Sequence, residues 1–248
     1  MKKRIAILQS NYIPWRGYFD IIASVDEFLI YDSAQYTKND WRNRNRIKTA
    51  NGPTWLTIPV ATAGQFNQSI AHARCANSSW AAKHWRTLSQ AYAKAPYFPT
   101  YRDLMAEVYE ACAGQTLLSD INRHLLNTIV SALGLTTQIA DAPELPSDNN
   151  PTMRLIDICL AVGATTYLSG PSAKNYMDIS LFDAVGITVE FMDYSKYRPY
   201  PQLHGEFYPA VSILDLLFSV GPQARSYLSA PAPVSIPAEV AELMDACA

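Results

Sequence analysis

Residues 4–32 read RIAILQSNYIPWRGYFDIIASVDEFLIYD, and this stretch decides the fold class. Arg4 to Gln9 is a compact apolar run that closes on Ser10-Asn11. After a loop holding Pro14, the residues from Gly17 to Ser24 place Phe19, Ile21 and Ile22 at near-helical spacing. Glu27 to Asp32 is a second apolar run, too short for a stable helix and followed by polar residues. The pattern predicts strand, loop, helix and strand, the opening of a parallel sheet. In such sheets the loops after the strands share one edge, where ligands sit. Gln9–Trp15 and Asp32–Lys38 are therefore expected side by side.

Working outward, Trp41 to Val60 changes to alternation around Asn51-Gly52-Pro53, which predicts a β-ribbon projecting from the sheet. Trp80–Lys94, Tyr101–Cys112 and Leu117–Leu133 carry apolar residues at helical spacing, punctuated by Pro96, Pro99 and Gly114. Strand–helix alternation then returns: Thr137–Ala140, a helix over Met153–Val162, Thr165–Leu168, a short helix near Ala173–Met177, and Ile187–Phe191. A Tyr/Pro-rich segment, Asp193–Pro209, precedes a last helix at Ser212–Ser219, and Ala230–Pro237 reads as a linker. The expected architecture is a single Rossmann-like α/β domain over residues 1–248 with a mainly parallel sheet. A ribbon insertion at 41–60, a helical subdomain at 80–134 and a tail at 222–248 complete it.

The chain has 248 residues, 49% hydrophobic and 17% charged, enough apolar material for one large core and too much for a disordered chain. Its net charge of -2 excludes polyanion binding by bulk charge, so a basic site has to be local. Cys75, Cys112, Cys159 and Cys247 are widely spaced without a CxxC pair, and His72, His84, His124 and His204 show no i, i+4 pair, which argues against a disulfide framework and a metal site. The leading apolar run, Ile5–Leu8, is too short for a signal peptide, and no window reaches the ~18 apolar residues of a membrane span. A cytoplasmic protein without membrane insertion is expected.

Five cations, Lys38, Arg42, Arg44, Arg46 and Lys48, fall within eleven residues. On a strand, Arg42, Arg44, Arg46 and Lys48 share one face, with Trp41, Asn43, Asn45 and Ile47 on the other. Guanidinium groups so spaced match phosphate oxygens; the alternative is a solvated edge strand guarded by charge. In Tyr167–Asn175, Ser169, Ser172 and Lys174 stand at a strand end. They suit an anion there, or simply a Ser-capped loop. His84 is expected to pack among Trp80, Trp85 and Tyr92, and His204, beside Tyr200 and Gln202, is the better ligand contact. Asp32 at its strand end either takes a proton or binds a sugar hydroxyl, or else caps the following turn. Gln9 and Asn11 in the first loop complete the candidate binding set.

The segments QSNYIPWRGYFDIIASVDEFLIYDSAQYTKNDWRNRNRIKTANGPTWLTIPV, YLSGPSAKNYMD and YPQLHGEFYPAVSILDLLFSVG together resemble the WbqC-like proteins of bacterial O-antigen and related glycan gene clusters. The likeness runs from about Ile5 to Gly221 and implies cytoplasmic work on activated or amino sugars. With the arginine ribbon it points to a transferase moving an acyl or aminoacyl group from a thioester or ester donor to the amine of a nucleotide-linked sugar. In that reading Asp32 or His204 takes the amine proton, and Asn11 or Gln202 orients the carbonyl. No tightly bound cofactor is expected; the co-substrate is a CoA or carrier-protein thioester or an aminoacyl donor, with acyl carrier protein or tRNA as the macromolecular partner. A weaker likeness is to the HUP-type nucleotidyltransferases and class I synthetases, but Trp15-Arg16-Gly17-Tyr18 replaces their His-x-Gly-His stretch. A nucleotidyltransferase and a non-catalytic anion- or RNA-binding module are the competing readings.

Overall fold

A computed structural model describes residues 2–146 and 150–228. Five strands, β1 (Arg4–Leu8), β2 (Glu27–Ile30), β5 (Gln138–Asp141), β6 (Thr166–Ser169) and β7 (Thr188–Phe191), form one parallel sheet in the order β5-β2-β1-β6-β7. β3 (Arg44–Thr49) and β4 (Gly52–Thr57) form a separate antiparallel hairpin. Strands buried on both faces need apolar residues at every position. The interior of β1 obeys this: Ala6 joins Phe28 and Leu168 in one core, and Ile5 and Ile7 join Leu29 and Tyr167 in the other. The first core is covered by α1 (Arg16–Ala23), α2 (Ser79–Tyr92), α3 (Phe98–Ala113), α4 (Leu118–Ala132) and α7 (Ile213–Val220). The second lies under α5 (Pro151–Ala161) and α6 (Ile179–Ala184).

The Rossmann-like α/β reading of the sequence holds, including the union of the early and late strands in one sheet. Three local readings need correction. The segment after β6 is a 3-10 helix over Pro171–Asn175 whose cap residue, Gly170, makes no side-chain bond, so Ser172 caps no α-helix. The helix α6 was not expected; its six residues are too few for an apolar period to stand out, although Asp178 caps it through Ser180 N at 3.1 Å. Arg42 precedes β3 in a turn, because the Asp40 carboxylate accepts Trp41 N–H at 2.7 Å and its carbonyl accepts Asn43 N–H at 3.1 Å. Of the expected tail, residues 222–228 pack as a 3-10 helix with Ala224 and Leu228 buried, and the linker at Ala230–Pro237 lies outside the described residues.

The alternation of Asn and Arg along β3 acquires a physical meaning. Asn43 and Asn45 face inward, where Asn43 Nδ2 donates to Ile58 O at 2.8 Å and Asn45 Nδ2 donates to Ile13 O at 2.9 Å and Tyr12 O at 3.2 Å. These bonds hold the loop after β1, in which Ile13 adopts a left-handed φ of 37° that a β-branched residue avoids. The hairpin thus clamps the edge of the sheet. Among the described residues no helix is long and apolar enough to cross a membrane.

Candidate functional site

In the sheet order, β1 lies between β2 and β6, so the chain leaves β1 toward opposite sides at this point. A parallel sheet opens a crevice beyond its carboxyl ends there. The structure has a cavity of about 240 Å³ at this place, walled by Gln9 after β1, Tyr31 after β2, Ser169 and Ser172 around the β6 loop, Arg154 from α5, and Tyr176. Arg154 donates to Tyr31 Oη at 3.0 Å. At the rim, the Arg42 guanidinium bonds Gln9 Oε1 and pairs with Asp40 at 3.5 Å. The wall therefore combines polar, cationic and aromatic side chains.

The expected row of four cations divides into three destinations. Arg42 turns to the cavity rim through Gln9. Arg44 and Arg46 stack over the same indole, that of Trp55, at 4.2 and 4.4 Å from its centroid, while Trp41 lies 5.4 Å from that ring and Arg46 also bonds Tyr208 Oη. A cation over an indole face gains electrostatic energy without losing its outward N–H groups. Lys48 turns inward and is 5% exposed: its ammonium bonds Gln202 Oε1 at 2.8 Å and the Glu206 carbonyl. Gln202 Nε2 in turn donates to Asp215 Oδ1 at 2.9 Å and to Tyr208 O at 2.9 Å, and Tyr92 Oη donates to Asp215 Oδ2 at 2.8 Å. Tyr200 is buried against the same carboxylate. Lys48, Tyr200 and Gln202, expected at a ligand, are thus spent on a buried network around Asp215. Burial raises the Asp215 pKa and lowers that of Lys48.

The remaining candidates are scattered in an instructive way. Asp32 sits beneath the β1 loop, with Oδ1 accepting Ser10 N–H at 2.8 Å and Oδ2 sealed from solvent without a partner. Burial raises its pKa against the opposing effects of the Ser10 bonds, Arg123 and Arg42. It shapes the cavity floor without lining it. Asn11 is also buried, with Oδ1 unpartnered. Lys38 is exposed on the loop after β2. Lys174 is exposed and lies 5.0 Å from the Phe191 ring, away from the cavity wall. His204 Nε2 lies 3.0 Å from Ala91 O at the end of α2, so the structure does not bring it to Asp32. The sequence reading missed Arg154, Tyr31 and Tyr176; Asn150-Pro151, a cap followed by a favoured first residue, was the available sign that Arg154 opens a helix at the ligand edge.

The position where the nucleotidyltransferase likeness would place its His-x-Gly-His stretch is closed. The Trp15 ring lies over Gly17, where an added Cβ would come within 2.2 Å of it. Arg16 is 3% exposed and stacks on Tyr197 at 4.3 Å, donating to Arg198 O at 2.8 Å. Beside it, Tyr197 Oη donates to Asp20 Oδ2 at 2.6 Å, and burial lifts the Asp20 pKa to about 6. Because the folded pKa exceeds the unfolded one, this group's contribution is greatest below the unfolded pKa. It falls as pH rises through about 6. Urea unfolding at pH 4.5 and 7.5 is expected to show the wild type losing about 2 kcal/mol relative to Asp20→Asn over that range. An equal difference between the two proteins at both pH values would show that Asp20 titrates normally.

Comparison with known proteins yields two matches. The family model described as WbqC-like protein family matches residues 9–227. The uncharacterized protein Rv1507c of Mycobacterium tuberculosis (strain ATCC 25618 / H37Rv) is 51% identical over 226 residues, covering 91% of this chain and 97% of the relative. No solved structure matches. With most of its length matched, from the β1 loop through the 3-10 helix after α7, the chain belongs to the WbqC-like protein family.

Proposed function

We propose that the protein is a transferase that joins an acyl or aminoacyl group to the amine of a nucleotide-linked sugar, consistent with the glycan context that the family resemblance implies. The observation that supports this reading is the cavity at the switch point, with Arg154 in its wall and Arg42 at its rim. Its size suits part of a small ligand, and its cations suit phosphate and developing oxyanion charge. Arg44 and Arg46 on Trp55 extend the positive surface along the hairpin, so a diphosphate can run from the rim outward.

In the step proposed, the amine nitrogen attacks the donor carbonyl carbon, the C–S or C–O bond to the carrier breaks, and the amine proton leaves with the departing sulfur or oxygen. No covalent enzyme intermediate and no dedicated base are needed. Arg154, Ser172 and Gln9 donate toward the carbonyl oxygen, and the protein contributes chiefly by holding two reactants together. Asp32 is assigned to positioning: it fixes the backbone of Ser10 and hence the Gln9 wall. The test is incubation of purified protein with an amino-sugar nucleotide and a panel of acyl-CoA, acyl-carrier and aminoacyl-tRNA donors. A mass gain on the sugar is the expected result; no gain across the panel contradicts the reading.

A second reading rests on one observation, the exposed Trp55 with two guanidinium groups stacked on it. Such a surface suits stacked bases and phosphates of single-stranded RNA, in a binding module without catalysis. Affinity for tRNA that falls steeply with salt, without turnover on any donor, distinguishes it.

A further inference from the structure

The transfer step makes no use of Tyr176, although this residue stands in the wall of the switch-point cavity. Its ring is 69% exposed, and among the described residues, which include all 15 tyrosines, no other tyrosine is exposed. It contacts no other aromatic ring among the described residues. A single exposed aromatic on a plain surface needs no explanation, but this one belongs to a cavity and its backbone is held firmly. Tyr176 follows the 3-10 helix Pro171–Asn175. On either side of it Ala173 and Met177 are buried in the second core, with Met177 N–H donating to Ala173 O at 3.0 Å. The backbone is thus fixed while most of the ring stays open.

The groups that share this cavity define the chemistry of a partner for the ring. Gln35, Ser169 and Ser172 line it, and amide and hydroxyl groups both donate and accept hydrogen bonds. Among the described residues the lining holds Arg154 but no carboxylate. At the rim, the Arg42 guanidinium is close enough to Tyr176 to favour its phenolate form. A molecule with hydroxyl groups around its edge suits the amides and serines, and one with C–H bonds on its face suits the electron-rich face of the phenol ring. A pyranose ring has both properties. A nucleobase also stacks on tyrosine, but an amine that meets a carbonyl beside Arg154 belongs to the sugar, so the sugar is the part of the ligand inside the cavity.

We propose that Tyr176 is the platform on which the sugar ring of the nucleotide-linked substrate stacks, with the sugar hydroxyls on Gln35, Ser169 and Ser172 and the phosphates toward Arg42. This assignment rests on the transferase reading for the kind of ligand. It makes Tyr176 the residue that separates a sugar nucleotide from the bare nucleotide. Contacts with the diphosphate are common to both ligands, whereas only the sugar covers the ring.

The test is calorimetric titration of full-length wild type, Tyr176→Leu and Tyr176→Phe with a panel of UDP- and dTDP-linked amino hexoses, and with UDP and dTDP alone. Tyr176 is exposed, so neither replacement disturbs the core, and unaltered thermal unfolding verifies this. Tyr176→Leu is expected to bind the sugar nucleotide about tenfold more weakly while its affinity for the bare nucleotide changes by no more than about twofold, and Tyr176→Phe to bind both as the wild type does. In the wild-type complex the C–H proton signals of the sugar shift upfield under the ring current, and those of the base do not. An equal loss for sugar nucleotide and bare nucleotide, no loss at all, or upfield shifts confined to the base overturns the proposal. Binding is read without turnover, so a sugar-selective loss in a protein that transfers nothing contradicts the transferase reading alone. Transfer without a sugar-selective loss contradicts this assignment alone, and a wild type that binds no member of the panel overturns both.

Discussion

Asp215→Ala is expected to lower the unfolding free energy by about 3–5 kcal/mol, the largest stability effect of any single polar replacement in this protein. The carboxylate is 0% exposed and gathers groups from three other parts of the chain: Tyr92 of α2, Gln202 and Tyr200 of the Tyr/Pro-rich segment, and Lys48 of the hairpin. Removing it deprives Tyr92, Tyr200 and Gln202 of a buried acceptor and takes from the Lys48 ammonium, which Gln202 links to it, the attraction of that carboxylate. Each buried donor left without an acceptor costs about 1–3 kcal/mol, so the loss exceeds the net value of the bonds themselves. The double variant Lys48→Met, Asp215→Ala removes the stranded cation and is expected to recover part of the loss. Urea unfolding of the two single variants and the double gives the coupling; strict additivity would show that Lys48 and Asp215 do not act as a pair.

The second large effect concerns activity. Arg154→Met is expected to reduce kcat/KM for the proposed transfer about 10²–10³-fold, the usual consequence of removing one oriented donor from a developing oxyanion. Methionine keeps most of the side-chain length, and Tyr31, which loses the bond from Arg154, is half-buried, so the fold is expected to survive. Steady-state rates with saturating donor separate a fall in kcat from a rise in KM. A loss confined to KM would place Arg154 at a ground-state phosphate instead of the reacting carbonyl.

How far the sequence disclosed this arrangement depended on the distance over which each interaction is decided. β1, α1 and β2 were legible because runs buried on both faces and a helical period are local signals. The hairpin was legible for the same reason, with Asn51-Gly52 at its tip. The single face of four cations was not: Arg42 is drawn off its strand by a turn that Asp40 stabilises, and Lys48 is drawn inward by Gln202 and the Glu206 carbonyl, which lie far along the chain. Arg44 and Arg46 kept their shared face because Trp55, directly across from Arg46 in the register, supports both. His204 and Asp32 were each plausible proton acceptors in sequence, but only the tertiary structure could show that they occupy different regions. Arg154 gives no local signal of its own, because the apolar period of α5 becomes visible only from Met153 while the helix starts at Pro151.

In the proposed reaction the phosphate-bearing sugar sits in the crevice between β1 and β6. Ser172→Trp fills it from a half-buried wall position, whereas Lys174→Ala, two residues on, removes a charge that lies against Phe191 outside it. Calorimetric titration of a nucleotide-linked amino sugar into the wild type and these two variants is the most direct measurement. The prediction is one-site binding in the wild type, essentially unchanged in Lys174→Ala and abolished in Ser172→Trp. Wild-type affinity retained in Ser172→Trp would contradict it.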